Sequence, residues 1–181
     1  MEVTYVSDPS YRLTWEEVMK ACKAIATEAD STFGPNAVVG IARGGLIPAT
    51  IISSILQVDL FPCVVTRKRR GRVIHDRPET IVSVSERVRG QRVLVIDESV
   101  MTGETMRMVT TQCKKLNAKL VKTASIWVSS DSWKPTLYHM EGPGYMLFPW
   151  DYEVLVSGQY ILNPVYQEYI DSLEMIDDWI K

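Results

Sequence analysis

The run Val93-Leu94-Val95-Ile96-Asp97-Glu98-Ser99-Val100-Met101-Thr102-Gly103-Glu104-Thr105 decides the reading of this chain. Its first four residues are apolar without a break, which suits a strand buried on both faces of a parallel sheet. With Arg92 before and Asp97 after, the strand is expected over 92–97. Two acids close it, and a short loop follows. Thr102-Gly103-Glu104-Thr105 then opens a helix expected to reach about Lys115. The first turn of a helix carries unpaired N–H groups and a positive dipole end, so it favours an anion such as phosphate. Gly103 permits close backbone approach, and the Thr102 and Thr105 hydroxyls add donors. Asp97 and Glu98 can accept hydrogen bonds from a diol. Phosphate donors beside diol acceptors describe a site for a ribose 5-phosphate.

The same strand–turn–helix pattern occurs earlier. Ala37-Val38-Val39-Gly40-Ile41 is apolar throughout, Arg43-Gly44-Gly45 breaks it, and a helix is expected from about Ile47 to Leu56. Before it, Thr14-Trp15-Glu16-Glu17 has the form of a capping box opening a helix to about Thr27,. Val18, Ala21, Cys22 and Ile25 share one face of that helix,. Further strands are expected over about Leu60–Thr66 and Val121–Val128, and a C-terminal helix over about Pro164–Lys181, with Val165, Tyr169, Leu173, Ile176 and Ile180 as its apolar positions. The fold class is therefore α/β, a central, mostly parallel sheet flanked by helices. In such sheets ligands bind beyond the carboxyl ends of the strands, where both special turns lie.

The 181 residues suit a single domain, and 46% hydrophobic residues supply a core,. A net charge of −2 makes no case for a nucleic-acid partner, although Arg67-Lys68-Arg69-Arg70-Gly71-Arg72 is a local basic run. The most apolar stretch, Leu46 to Leu56, carries Pro48, Thr50, Ser53 and Ser54 and is too short to cross a membrane,. Three cysteines, Cys22, Cys63 and Cys113, have no metal-like spacing and read as buried or half-buried thiols in a reducing compartment,. Met1-Glu2-Val3-Thr4 has no signal-peptide character, so a cytoplasmic location is expected,.

The block from Val93 to Thr105 resembles the phosphoribosyl pyrophosphate motif of the type I phosphoribosyltransferases, and most of the chain follows that family's order, closest to its xanthine/hypoxanthine-guanine branch. The resemblance implies that Asp97 and Glu98 hold the ribose hydroxyls, and that Ser99, Met101, Thr102, Gly103, Glu104 and Thr105 form the 5-phosphate loop. Ala42-Arg43-Gly44-Gly45 resembles the family's pyrophosphate loop in its arginine form, with Arg43 beside the leaving group. The basic segment, with Arg67, Lys68, Arg69 and Arg70 as candidates, corresponds to a flexible loop that closes over substrate. His75 nearby reads as incidental. Tyr145-Met146-Leu147-Phe148-Pro149-Trp150-Asp151 resembles a hood segment, in which Tyr145 and Met146 meet the base, Asp151 with Asp97 helps hold Mg2+, and Trp150 belongs to the core. The hood is expected over about 130–160.

The reaction so implied is transfer of a 5-phosphoribosyl group from phosphoribosyl pyrophosphate to a purine nucleobase (hypoxanthine, guanine or xanthine) by a homodimer. Two residues depart from the pattern. Glu98 replaces the usual second Asp, and Met101 stands where 6-oxopurine enzymes often carry an acid. No lysine occupies the position that meets the purine 6-oxo group: Ser129 and Ser130 fill it, and Lys134 lies beyond. A phosphoribosyl pyrophosphate- or nucleotide-binding regulatory protein without catalysis, and transfer to an unusual acceptor, are the alternative readings.

Overall fold

Thr14 opens helix α1 (Trp15–Phe33) through a complete capping box: its hydroxyl accepts from Glu17 N at 3.2 Å, and the Glu17 carboxylate accepts from Thr14 N at 2.9 Å. The helix runs past Thr27, because Ala29 continues its buried face while Ser31 and Thr32 bond their hydroxyls back to Glu28 O. Gly34 ends it in the left-handed conformation,. The structure, a computed structural model, describes residues 1–8, 11–66 and 77–171, and the backbone alone of 68, 69, 72 and 73.

The strands are β1 (Thr4–Tyr5), β2 (Ala37–Ile41), β3 (Asp59–Thr66), β4 (Lys68–Arg69), β5 (Arg72–Val73), β6 (Glu79–Val82), β7 (Arg92–Val100), β8 (Leu120–Ser129), β9 (Leu137–Gly142), β10 (Glu153–Val156) and β11 (Gln159–Leu162). Helices α2 (Leu46–Leu56) and α3 (Glu104–Lys115) follow β2 and β7. Seven strands form one sheet in the order β1-β9-β8-β7-β2-β3-β6, parallel except where β6 runs against β3. The expected mostly parallel α/β sheet is thus observed.

Its two faces are covered as the apolar strands require. Val18, Ile25 and Ile52 of α1 and α2 pack with Val38, Leu94 and Ile126 on one face. Met106, Val109 and Cys113 of α3 pack with Val39, Val95 and Val128 on the other. Burial pushes the thiols of Cys22 and Cys63 up to about 12 and that of Cys113 up to about 11, as expected of core thiols,. Among the described residues no helix is long and apolar enough to cross a membrane.

Chain order reverses between β2 and β7, which lie side by side at the middle of the sheet. From β2 the chain moves outward to β3, and from β7 it moves the other way to β8 and β9. This is the switch point at which open α/β sheets bind ligands. Of the stretch expected as a hood, β9 joins the central sheet, whereas β10 and β11 form a separate antiparallel hairpin. Residues 164–171 are helical. Within them Tyr166 is buried and Tyr169 half-buried, whereas Val165 is 41% exposed. The residues beyond 171 lie outside the described part.

Candidate active site

Strand β7 extends three residues beyond the expected end at Asp97, because Ser99 and Val100 keep pairing with Trp127 and Val128 of β8. Asp97 and Glu98 are therefore held by strand geometry and not by a loop. Both are half-buried. They face the turn after β2: a Cβ on Gly45 would lie 2.9 Å from Asp97 Oδ1, and one on Gly44 would lie 2.3 Å from Glu98 Oε1. At Gly45 a Cβ would also meet backbone, Ile41 O at 2.6 Å and Asp97 Cα at 2.8 Å, so only glycine fits there, whereas at Gly44 the Glu98 side chain would have to move. Glu98 Oε2 is buried and has no hydrogen-bond partner among the described residues.

The turn itself follows a cis peptide between Ala42 and Arg43. Ala42 N donates to Cys63 O at 2.8 Å, tying the turn to β3. Leu46 N and Ile47 N donate back to Arg43 O and Gly44 O, each at 3.1 Å, starting α2. Arg43 projects its side chain into solvent.

On the other side of the two acids, Gly103 caps α3 with φ +75 and no side-chain cap bond. Glu104 N donates to Thr102 Oγ1 at 3.4 Å. Ser99, Met101, Glu104 and Thr105 are half-buried, and Thr102 is exposed. The residues named for an anion site thus surround a positively polarised helix end. The Trp133 ring lies over Gly103, with its Cε3 2.6 Å from where a Cβ would be, and the Arg107 guanidinium sits 5.8 Å from that ring. The sequence offered no sign of this cover.

Of the hood residues, Tyr145 is 47% exposed, whereas Met146 is buried in the core beneath it. Met146 therefore has no face to offer a base, and the expectation for it is corrected. Trp150 is half-buried and packs against the core, stacking on Phe148 at 4.6 Å. Asp151 is half-buried and accepts from the Tyr166 hydroxyl at 2.7 Å. Lys134 Nζ pairs with Glu141 at 2.7 Å and donates to Ser130 O at 3.1 Å, so its charge returns to the stretch where the sequence lacked a lysine. The side chains of Arg67, Lys68, Arg69, Arg70 and His75 lie outside the described residues.

The carboxylates suit a hard divalent cation, and the orphaned Glu98 oxygen is a ligand of the right kind,. Among the described residues no group of three His, Cys, Asp or Glu side chains can hold a metal by itself. A cation here would take further oxygens from a phosphate ligand, as magnesium commonly does.

Residues 13–155 match the phosphoribosyl transferase domain. The chain belongs to that family. Over 167 residues it is 29% identical to the xanthine-guanine phosphoribosyltransferase of Nitratidesulfovibrio vulgaris strain DP4, covering 87% of this chain and 91% of that one. The crystal structure of a purine phosphoribosyltransferase from Pyrococcus horikoshii superposes with a TM-score of 0.68 at 27% identity, over 87% of this chain and 99% of that one. A xanthine-guanine-hypoxanthine phosphoribosyltransferase from Helicobacter pylori, 18% identical, shares the fold with a TM-score of 0.60 over 77% of this chain and 92% of that one. The family resemblance read from the motifs is borne out by these matches.

Proposed function

We propose that this chain is a purine phosphoribosyltransferase that moves the 5-phosphoribosyl group of phosphoribosyl pyrophosphate onto a 6-oxopurine with release of pyrophosphate, magnesium assisting. The observation that carries the reading is the placing of Asp97 and Glu98 between the Gly44-Gly45 turn and the N-terminus of α3. One small volume thus offers diol acceptors flanked by two phosphate-binding backbones. The relatives' purine activities agree with this reading.

In the proposed mechanism a base nitrogen forms a bond to the anomeric carbon while the bond to the pyrophosphate oxygen breaks. Asp97 and Glu98 accept from the ribose hydroxyls and fix the ring. The backbone at 102–105 and the Thr102 and Thr105 hydroxyls hold the 5-phosphate. Arg43 and the Gly44-Gly45 backbone take the departing charge, which is where fixed donors contribute most. The Tyr145 ring stacks on the base. Asp97 and Asp151 would help hold magnesium, which when bound neutralises charge on the leaving pyrophosphate. Met101 cannot accept the purine proton, so that proton passes to solvent. A homodimer is the proposed assembly.

Nucleotide formation from phosphoribosyl pyrophosphate, magnesium and a panel of nucleobases, followed by mass spectrometry, tests the reading. Inosine, guanosine or xanthosine monophosphate is the expected product. No nucleotide from any base, with phosphoribosyl pyrophosphate binding verified in the same sample, would overturn it in favour of a binding protein.

A further inference from the structure

The match to the family ends at residue 155, yet the chain beyond it turns back onto the hood. Asn163 Nδ2 donates to Asp151 O at 2.9 Å, and Asn163 N donates to Tyr152 O at 2.8 Å. Three residues on, the Tyr166 hydroxyl reaches Asp151 Oδ1 at 2.7 Å. Three further on, the Tyr169 ring meets Tyr145 edge to face at 5.1 Å. The Tyr169 hydroxyl lies directly over Gly144, leaving no room for a Cβ there. The segment 163–169 therefore clasps both ends of the stretch 144–152.

Tyr166 is the buried member of this clasp, 7% exposed. Its hydroxyl is the donor and Asp151 Oδ1 the acceptor of the bond that ties this segment to the hood. A phenol hydroxyl can donate to a carboxylate acceptor, as Tyr166 does here,. One buried donor thus holds a hood carboxylate.

We infer that Tyr166 is a positioning residue for the base site: by its bond to Asp151 it fixes the hood, and with it Tyr145, over the carboxyl ends of the strands. The part concerning the base rests on the function proposed above. The bond to the hood is independent of it. A buried hydrogen bond to a charged acceptor is strong enough that its loss changes an equilibrium about tenfold or more.

The test is Tyr166→Phe in the full chain, with Tyr160→Phe as control, since Tyr160 is 73% exposed. Hydrogen exchange followed by mass spectrometry reads the hood directly. Amides over 145–152 should exchange about tenfold faster in Tyr166→Phe, with α1 and β8 unchanged. KM for the base should rise about tenfold while kcat changes far less. The control should match the parent in both. Should Tyr166→Phe fail to fold, Asp151→Ala removes the same bond and should loosen the same amides.

Unchanged exchange over 145–152 would overturn the inference whatever the activity. Faster exchange with an unchanged KM would reduce Tyr166 to a structural role and overturn the positioning role. A parent protein that makes no nucleotide would overturn the proposed function instead, and the exchange data would still decide whether Tyr166 holds the hood.

Discussion

The Glu98 carboxylate lies against Gly44 so closely that a Cβ there would be 2.3 Å from Oε1 and 2.4 Å from Cδ. The departure from the usual Asp–Asp pair is thus matched across the site by a residue with no side chain. Gly44→Ala should lower affinity for phosphoribosyl pyrophosphate at least about tenfold by displacing Glu98 or bending the turn, since overpacking typically costs roughly 1–3 kcal/mol. Glu98→Asp withdraws the carboxylate by about one C–C bond, roughly 1.5 Å. The double variant should therefore recover part of the loss. Calorimetric titration of the two single variants and the double gives the coupling directly, and strict additivity would show that the two residues do not compete for this space.

Met101→Asp examines the other departure. Met101 is half-buried in the loop that leads into α3, and a carboxylate there can take the purine proton. General-base assistance is typically worth ~10²–10⁴ in rate. Under the proposed function, kcat with the accepted base should rise by about 10² while affinity for phosphoribosyl pyrophosphate changes little. Steady-state kinetics of parent and variant decide this, and an unchanged kcat would mean that proton removal does not limit turnover.

Gly103→Ala probes the loop's packing. Its φ of +75 disfavours any side chain, by about 1–2 kcal/mol, and the Trp133 ring occupies the place a Cβ needs,. The variant should melt roughly 2–8 °C lower and bind a 5-phosphate more weakly, because the first turn of α3 must shift. Differential scanning calorimetry with and without a nucleoside 5-monophosphate separates the two effects.

The strands that hold this site could be read from sequence because buried parallel strands are apolar without interruption, as Ala37–Ile41 and Val93–Ile96 are. Where polarity is mixed, reading stopped short. Glu98 and Ser99 look like loop residues, and only pairing with β8 reveals them as strand. The stretch Leu137–Gly142 alternates too little to announce β9, since it carries His139 and Glu141 among apolar residues. The turns at 42–45 and 102–105 were visible as motifs, because glycine spacing is a local property. The reach of Tyr166 to Asp151 and of Trp133 to Gly103 was not, since each joins distant segments that no period connects.

His139 gives a pH dependence of known sign. It is 8% exposed, its Nδ1 has no hydrogen-bond partner among the described residues, and burial lowers its pKa, with the charge of Lys20 contributing. The unfolded chain therefore binds a proton at a pH where the fold does not. Stability from this group is whole above the ordinary histidine value of about 6.5 and falls as pH drops below it, until the folded pKa is reached. Urea midpoints at pH 7.5 and 5.5 should differ less in His139→Phe than in the parent, and the difference between the two midpoint shifts is the contribution of this side chain.

Gly142, at the end of β9, shows what a purely structural glycine costs. A Cβ there would lie 2.2 Å from Val6 O and 2.4 Å from Trp127 Cη2. Neither neighbour can yield: one is backbone, and the other is a core indole 1% exposed. The residue beside it, Glu141, accepts from Val6 N at 2.8 Å, so any shift also disturbs the pairing of β1 with β9. Gly142→Ala should therefore cost about 2–3 kcal/mol, the upper part of the overpacking range, and lower Tm by roughly 4–12 °C. Gly90→Ala is the matched comparison. Its φ of +72 carries a backbone penalty of about 1–2 kcal/mol, but nothing lies within 4 Å of its Cβ,. Thermal unfolding of the two variants side by side should place Gly142→Ala lower, and the reverse order would show that backbone conformation outweighs packing at the β1 edge.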